Sequence, residues 1–139
     1  IYKLRSLKKT SFDKTKQVVK DDQRLLKIGK FIRRYSIDEL PQFFNVLNGD
    51  MSIVGPRPHM VEHDIHYSNL FFNFLKRHKC NPGLTGWAQV NGLRGATPEP
   101  SIMKRRMEFD LWYLNNWTIW LDIYIIFKTF YALIKYKGD

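Results

Sequence analysis

The spacing of apolar and polar residues changes several times along this chain, and each change marks an element. From Ile1 to Leu7 apolar and polar positions alternate, the period of a short, half-buried strand. Lys8 to Asp22 is polar, lysine-rich and without a period, which predicts a loop. Leu25, Leu26, Ile28, Phe31 and Ile32 then recur at helical spacing, with Lys27, Lys30, Arg33 and Arg34 on the other faces, so a short basic amphipathic helix follows. A second helix starts at Ser36–Asp38 and runs to about Asn48, where Gly49 stops it. Met51–Val54 reads as a strand entering the stiff turn Gly55-Pro56-Arg57-Pro58, and His59 to Lys79 reads as helix. Asn81-Pro82-Gly83 and Gly86 punctuate a turn before a second strand, Trp87–Val90, closed by Asn91-Gly92. After a loop from Arg94 to Ser101 the chain is helical from Met103 onward, with a break near Asn115-Asn116.

These elements make a small helix-rich α+β domain around a short β-hairpin-like element. At 139 residues the chain is long enough for one domain. It opens at Ile1 without an initiator methionine or signal peptide, and so reads as a fragment. A single cysteine, Cys80, excludes an internal disulfide.

Charge is uneven. Residues 1–36 carry twelve Lys/Arg against three Asp/Glu, whereas the remainder carries eleven against ten. A basic N-terminal third implies an anionic partner there, whether nucleic acid, lipid headgroup or nucleotide phosphate. No window is apolar for long enough to span a bilayer. The C-terminal helix is nonetheless apolar over most of its surface. Asn115, Thr118, Asp122 and Thr129 form one narrow stripe, and Trp117, Tyr124, Lys128, Tyr131 and Lys135 another. Such a helix is usually buried, but an aromatic-and-lysine stripe is also what an interfacial membrane helix carries. The small size of the domain favours the membrane interface.

Two short segments carry candidate chemistry. In Ser36-Ile37-Asp38-Glu39-Leu40-Pro41-Gln42, adjacent carboxylates stand at a helix start. Ser36 with Glu39 forms a capping box, or Asp38 is itself the N-cap. Either way the helix dipole favours the ionised carboxylates. Capping explains one of them; the other is left to attack an electrophile or hold a cation. In Gly55-Pro56-Arg57-Pro58 two prolines fix the backbone around one arginine. That is either a rigid surface turn or a preorganised phosphate grip. His59, His63 and His66, spaced to share a helix face near Glu62 and Asp64, suggest a metal site only superficially, since no recognised ligand spacing completes them.

The segment Phe31-Ile32-Arg33-Arg34-Tyr35-Ser36-Ile37-Asp38-Glu39-Leu40-Pro41-Gln42 resembles the signature of bacterial sugar transferases, the monotopic polyprenyl-phosphate hexose-1-phosphate transferases. Asn45 to Pro58 continues it, and Pro82–Gly92, Glu108–Tyr113 and Asn116–Asp122 are similar to further blocks of the family. Tyr35, Ile37, Leu4 and Leu7 stand where Thr, Leu, Phe and Met are commoner. His59, Arg77-His78-Lys79 and Asn91–Gly95 look most like the undecaprenyl-phosphate glucose phosphotransferases of exopolysaccharide synthesis, although relatives using galactose or N-acetylated sugars share the core motifs.

The resemblance implies that residues 1–139 are the catalytic domain of such an enzyme, with a membrane helix upstream of Ile1, at the cytoplasmic face of the bacterial inner membrane. It implies that Asp38 attacks the sugar-bearing phosphorus of a UDP-sugar, expels UMP and forms a covalent intermediate that undecaprenyl phosphate resolves. Glu39 would bind Mg²⁺, Arg57 and Arg33 would hold phosphate, and Asp50 is a further candidate for the metal. A nucleic-acid-binding module would explain the charge, but no nucleic-acid motif is present. A non-catalytic membrane-surface anchor is the remaining alternative.

Overall fold

A computed structural model describes residues 1–8, 22–95, 97 and 99–135. Most of the loop expected over Lys8–Asp22 lies outside the described residues. The N-terminal segment is extended but forms a single bridge, Leu7 with Leu25, instead of the expected strand. Its backbone changes partner as it goes, so no ladder can build. Leu4 N–H donates to Asp38 O, Lys8 N–H to Arg24 O, and Tyr2 N–H to the Asn45 side chain.

Helix α1 (Lys27–Arg34) is the basic helix read from the sequence. The second helix is shorter than expected and starts later. Ile37–Glu39 form one 3₁₀ turn, and α2 spans Gln42–Leu47. Ser36 takes a left-handed conformation (φ 55°), and its side chain makes no cap. Neither capping register is realised, and both carboxylates precede α2 rather than sitting in its first turn.

Strands β1 (Ser52–Val54) and β2 (Gly83–Thr85) pair with each other in parallel. The expected α+β class holds, but the two-stranded element is a crossover, not a hairpin. The crossover carries α3 (Val61–Leu70) and a 3₁₀ segment, Phe74–Lys79, so the single helix expected over His59–Lys79 is broken at Phe71–Asn73. Glycines permit the tight crossing at its ends. A Cβ on Gly83 would meet the Gly55 backbone nitrogen, and one on Gly86 the Gly55 carbonyl oxygen. Trp87–Val90, expected as a strand, is a one-turn helix, α4, opening after Gly86. Its four residues close a helical turn because Val90 N–H reaches Gly86 O, and the apolar run packs on helices instead of entering a sheet.

Helix α5 (Pro100–Asn115) starts on a proline, whose missing N–H costs nothing at that position. The expected break follows, and Thr118 Oγ1 caps α6 (Ile119–Lys135) by accepting from Leu121 N–H. Two apolar clusters hold these parts together. One joins α3, the 3₁₀ segment and α5 through Tyr67, Phe74, Met103 and Met107; the other joins β1, α5 and α6 through Val54, Tyr113 and Ile125. Truncating a residue as buried as Phe74 is expected to cost roughly 3–5 kcal/mol.

Helix α6 is amphipathic in an inverted sense. Asp122, Lys128 and Thr129 face the protein. Asp122 accepts from Tyr113 Oη (2.7 Å) and Trp117 Nε1 (3.1 Å), Thr129 bonds Thr85 (2.6 Å), and Lys128 donates to Asn91 (2.8 Å) beneath the Trp87 and Tyr124 rings. Ile119, Trp120, Phe127 and Phe130 point outward, Trp120 at 74 % exposure. Lys128, a member of the aromatic-and-lysine stripe, is thus turned inward. Among the described residues no helix is long and apolar enough to cross a membrane.

Candidate active site

The turn that carries Asp38 and Glu39 is laced to the N-terminal segment by the Leu4–Asp38 backbone bond. That lacing puts Lys3 over the carboxylates. Lys3 Nζ lies 3.0 Å from Glu39 Oε1, and Arg57 Nη2 donates to the same oxygen at 2.7 Å. From the loop after α4, Arg94 donates to Ser36 Oγ and stands 3.7 Å from Glu39 Oε2. Arg33, on the last turn of α1, donates to Ser6 Oγ (3.3 Å) and contributes its charge to Asp38. The structure thus gathers Asp38, Glu39, Arg57 and Arg33, as the sequence suggested, and adds Lys3 and Arg94.

The two adjacent carboxylates differ electrostatically. Asp38 is buried, at 4 % exposure. Burial pushes its carboxyl pKa up, with Glu39 alongside adding to the effect and Lys3 and Arg33 opposing it. Burial acts on Glu39 in the same direction, but the Arg57 and Lys3 cations outweigh it and hold the carboxyl down at about 2. Burial together with these neighbours accounts for both shifts. One carboxylate is held firmly ionised by its partners, and the other is stripped of water beside it.

Asp50 is not part of this group. It follows α2 at its far end, where it takes a hydrogen bond from Asn45 Nδ2 (3.4 Å). The histidines do not form a metal site either. Among the described residues, no group of three His, Cys, Asp or Glu side chains could hold a metal ion.

Beneath Arg57 lies a buried polar cluster that sequence reasoning missed. Arg77, 2 % exposed, donates through Nε and Nη2 to Asp110 Oδ2 at 3.0 and 2.7 Å. Its Nη2 also reaches the Arg57 carbonyl oxygen (2.8 Å), and its Nη1 the His59 ring at Nδ1 (2.7 Å). Burial holds the His59 pKa down at about 4, and Arg77 and Arg106 add to this against the opposing pull of Asp64. His59 is thus neutral and accepts at Nδ1. Arg106, also buried, spans from His59 to the Gly95 carbonyl (2.6 Å). Arg77 and Asp110 both lie in segments that carried the family resemblance, but no local spacing joins positions so far apart.

A family model described as bacterial sugar transferase matches residues 1–136. The chain belongs to the bacterial sugar transferase family. It is 53 % identical over 121 residues to a UDP-glucose:undecaprenyl-phosphate glucose-1-phosphate transferase of Xanthomonas campestris pv. campestris, a match covering 87 % of this chain and 25 % of that protein. It is 52 % identical over 130 residues to the Escherichia coli K12 protein of the same name, covering 93 % and 28 %. An Aeromonas hydrophila protein named for transfer of N-acetylgalactosamine phosphate to undecaprenyl phosphate is 40 % identical over 139 residues, covering 99 % and 32 %. The chain spans about a quarter of the length of the first two relatives.

For a sugar transferase, the acidic pair fits one mode of Mg²⁺ binding. Mg²⁺ commonly takes one or two carboxylates and completes its shell with substrate phosphates and water. Glu39 Oε1 is occupied by two cations, whereas among the described residues Oε2 has only the longer Arg94 contact and is the oxygen open to such an ion.

Proposed function

We propose that this chain is the catalytic domain of a phosphoglycosyl transferase. It moves a hexose-1-phosphate, glucose-1-phosphate first, from a UDP-sugar to undecaprenyl phosphate, at the cytoplasmic face of the bacterial inner membrane. The observation that carries this reading is a buried Asp38 beside a Glu39 that Arg57, Lys3 and Arg94 surround. Four cations, counting Arg33, converge on two carboxylates, and a diphosphate would find its charge matched there.

In this mechanism Asp38 attacks the sugar-bearing phosphorus. A carboxylate oxygen–phosphorus bond forms as the bond to UMP breaks, and UMP leaves as the anion. Burial raises the Asp38 pKa, Lys3 and Arg33 oppose that rise, and poor solvation leaves the carboxylate, once ionised, reactive. Arg57 uses guanidinium donors not directed at Glu39 to grip the phosphoryl oxygens. An undecaprenyl phosphate oxygen then attacks the same phosphorus, releasing Asp38 as carboxylate and yielding the diphospho-sugar lipid. Mg²⁺, held through Glu39 and the donor diphosphate, would supply charge neutralisation for the departing nucleotide. Asp50 takes no part in this reading.

Membrane association is supported by the surface. Leu40, Phe43, Phe44 and Leu47 around α2 are exposed, as are Ile28 and Phe31 on the basic helix α1 and the outer residues of α6. Apolar side chains beside lysines suit a face seated among anionic headgroups.

The names of the two glucose-1-phosphate transferase relatives favour glucose; the N-acetylgalactosamine relative supports that sugar as the second reading. The test is UMP release by the full-length protein in membranes with Mg²⁺ and undecaprenyl phosphate, across a panel of UDP-sugars. Release with one sugar, lost in Asp38→Asn, is expected. Release that persists undiminished in Asp38→Asn would remove Asp38 as nucleophile. No release with any sugar would favour a non-catalytic membrane-surface anchor.

A further inference from the structure

The turn that carries Arg57 cannot bond itself. Pro56 and Pro58 have no N–H, and the Gly55 amide and the Pro56 and Arg57 carbonyls find their partners far away in sequence. Gly55 N–H donates to Thr85 O, and Pro56 O accepts from Gly83 N–H, both at 2.9 Å and both on the β2 side. On the other side the Arg57 carbonyl accepts from Arg77 Nη2, and His59, two residues on, accepts from Arg77 Nη1. Two of the three anchors are backbone bonds of the crossover. The third is one side chain.

That side chain cannot touch substrate. Its exposure is 2 %, its guanidinium lies 5.3 Å over the Phe74 ring, and Asp110 takes its remaining edge. Stability alone is a poor reason for such a residue, since a buried ion pair is often replaceable by apolar side chains at no loss. What an apolar residue could not do is donate to two acceptors in the Arg57 turn at once. A lysine could not either, because one nitrogen does not span a fork of acceptors at 2.7–3.0 Å.

The geometry points to Arg77 as the positioning residue of the site: seated on Asp110, it fixes the backbone of Arg57 and so aims that guanidinium at Glu39 and the transferred phosphoryl group. This rests on the reading of Arg57 given under Proposed function. A misplacement of about 1 Å in a gripping group can cost about 10²-fold in rate, so the effect falls on turnover more than on donor binding.

A double-mutant cycle tests it, with UMP release from UDP-glucose by the full-length protein in membranes. The variants are Arg57→Ala, Arg77→Lys and the two combined, with thermal unfolding followed in parallel. Arg77→Lys is expected to lower kcat about 10²-fold with little change in KM. The combined variant is expected to be no slower than Arg57→Ala alone, because Arg77 acts through Arg57. Losses that multiply, or an unchanged kcat in a folded Arg77→Lys, would overturn the positioning role and leave the Arg57 reading standing. A silent Arg57→Ala would instead sink the Arg57 reading, and this inference with it. Should Arg77→Lys fail to fold, Asp110→Asn loosens the same guanidinium with little change of shape. The same non-additivity with Arg57→Ala is expected there, and multiplicative losses overturn the proposal equally.

Discussion

The turn at Arg57 and the outer face of α6 are built on opposite plans. Around the turn, charged side chains are inside: Arg77, Asp110 and Arg106 are all buried, Arg77 donates to Asp110, and Arg106 donates to the Gly95 carbonyl. On α6 Asp122, Lys128 and Thr129 also face inward, and large apolar side chains are left outside. An ordinary water-soluble surface shows neither arrangement so completely. Buried charge is expensive unless paired, so it is kept where direction matters. Exposed aromatics are unfavourable in water, and the membrane association proposed above would give this face a less polar surrounding. One region spends its polar groups on geometry, and the other on docking its own helix.

The comparison breaks most sharply at the carboxylates. Asp38→Asn is expected to reduce UMP release by more than about 10³-fold, since no other group replaces the nucleophile. The same variant should raise the thermal midpoint. A carboxylate whose folded pKa is raised by burial opposes folding wherever it is ionised, and the amide removes that charge. A lower midpoint would show that the Asp38 charge is satisfied after all. Next, Arg57→Ala is expected to slow turnover on the order of 10²–10³-fold, read as kcat for UMP release. It should also free Glu39, whose pKa, measured by carboxyl NMR, would move up from about 2.

On the α6 side the effects are smaller and of another kind. Trp120→Glu and Phe127→Glu should each weaken binding to anionic vesicles roughly tenfold while leaving the fold unchanged, as judged by circular dichroism. Undiminished binding would mean that this face meets something other than lipid. The smallest effect concerns His59. Its folded pKa is depressed to about 4, so the unfolded chain takes up the proton first, and stability is full above about 6.5 and falls as pH drops toward 4. Glu39 adds its own loss below about 4.5, as pH falls toward 2. His59→Gln should flatten the upper window only, in urea unfolding as a function of pH.

The α+β class and the gathering of Asp38, Glu39 and Arg57 were both legible in the sequence, but the path of the backbone between the elements was not. Asp38, Glu39 and Arg57 announced themselves through adjacent charge and flanking prolines, both local signals. Lys3 and Arg77 did not, because their roles depend on where a distant backbone passes. The same limit explains the elements misread. Trp87–Val90 has the composition of a strand, but Gly83–Thr85 has the backbone that fits against Gly55, and tertiary fit overrode propensity. Ser36 resembled a cap by type and spacing, yet its left-handed conformation and the bond from Arg94 give its hydroxyl other work. The apolar C-terminal helix was recognised as ambiguous for a sound reason, since periodicity reports that a helix has two faces and not which one meets the protein.

The parallel pairing of β1 with β2 has a consequence for how the molecule comes into being. A hairpin could form early from its own neighbours, but a parallel pair must wait for its whole crossover to close. Both backbone anchors of the Arg57 turn belong to that pair, and Arg77 sits within the crossover itself. Arg57, proposed above to grip phosphate, therefore has its backbone anchors only once that crossover has closed. A chain arrested short of closure would hold its carboxylates beside Lys3 and Arg33 but without Arg57, and recovery of turnover after refolding would report closure of the crossover.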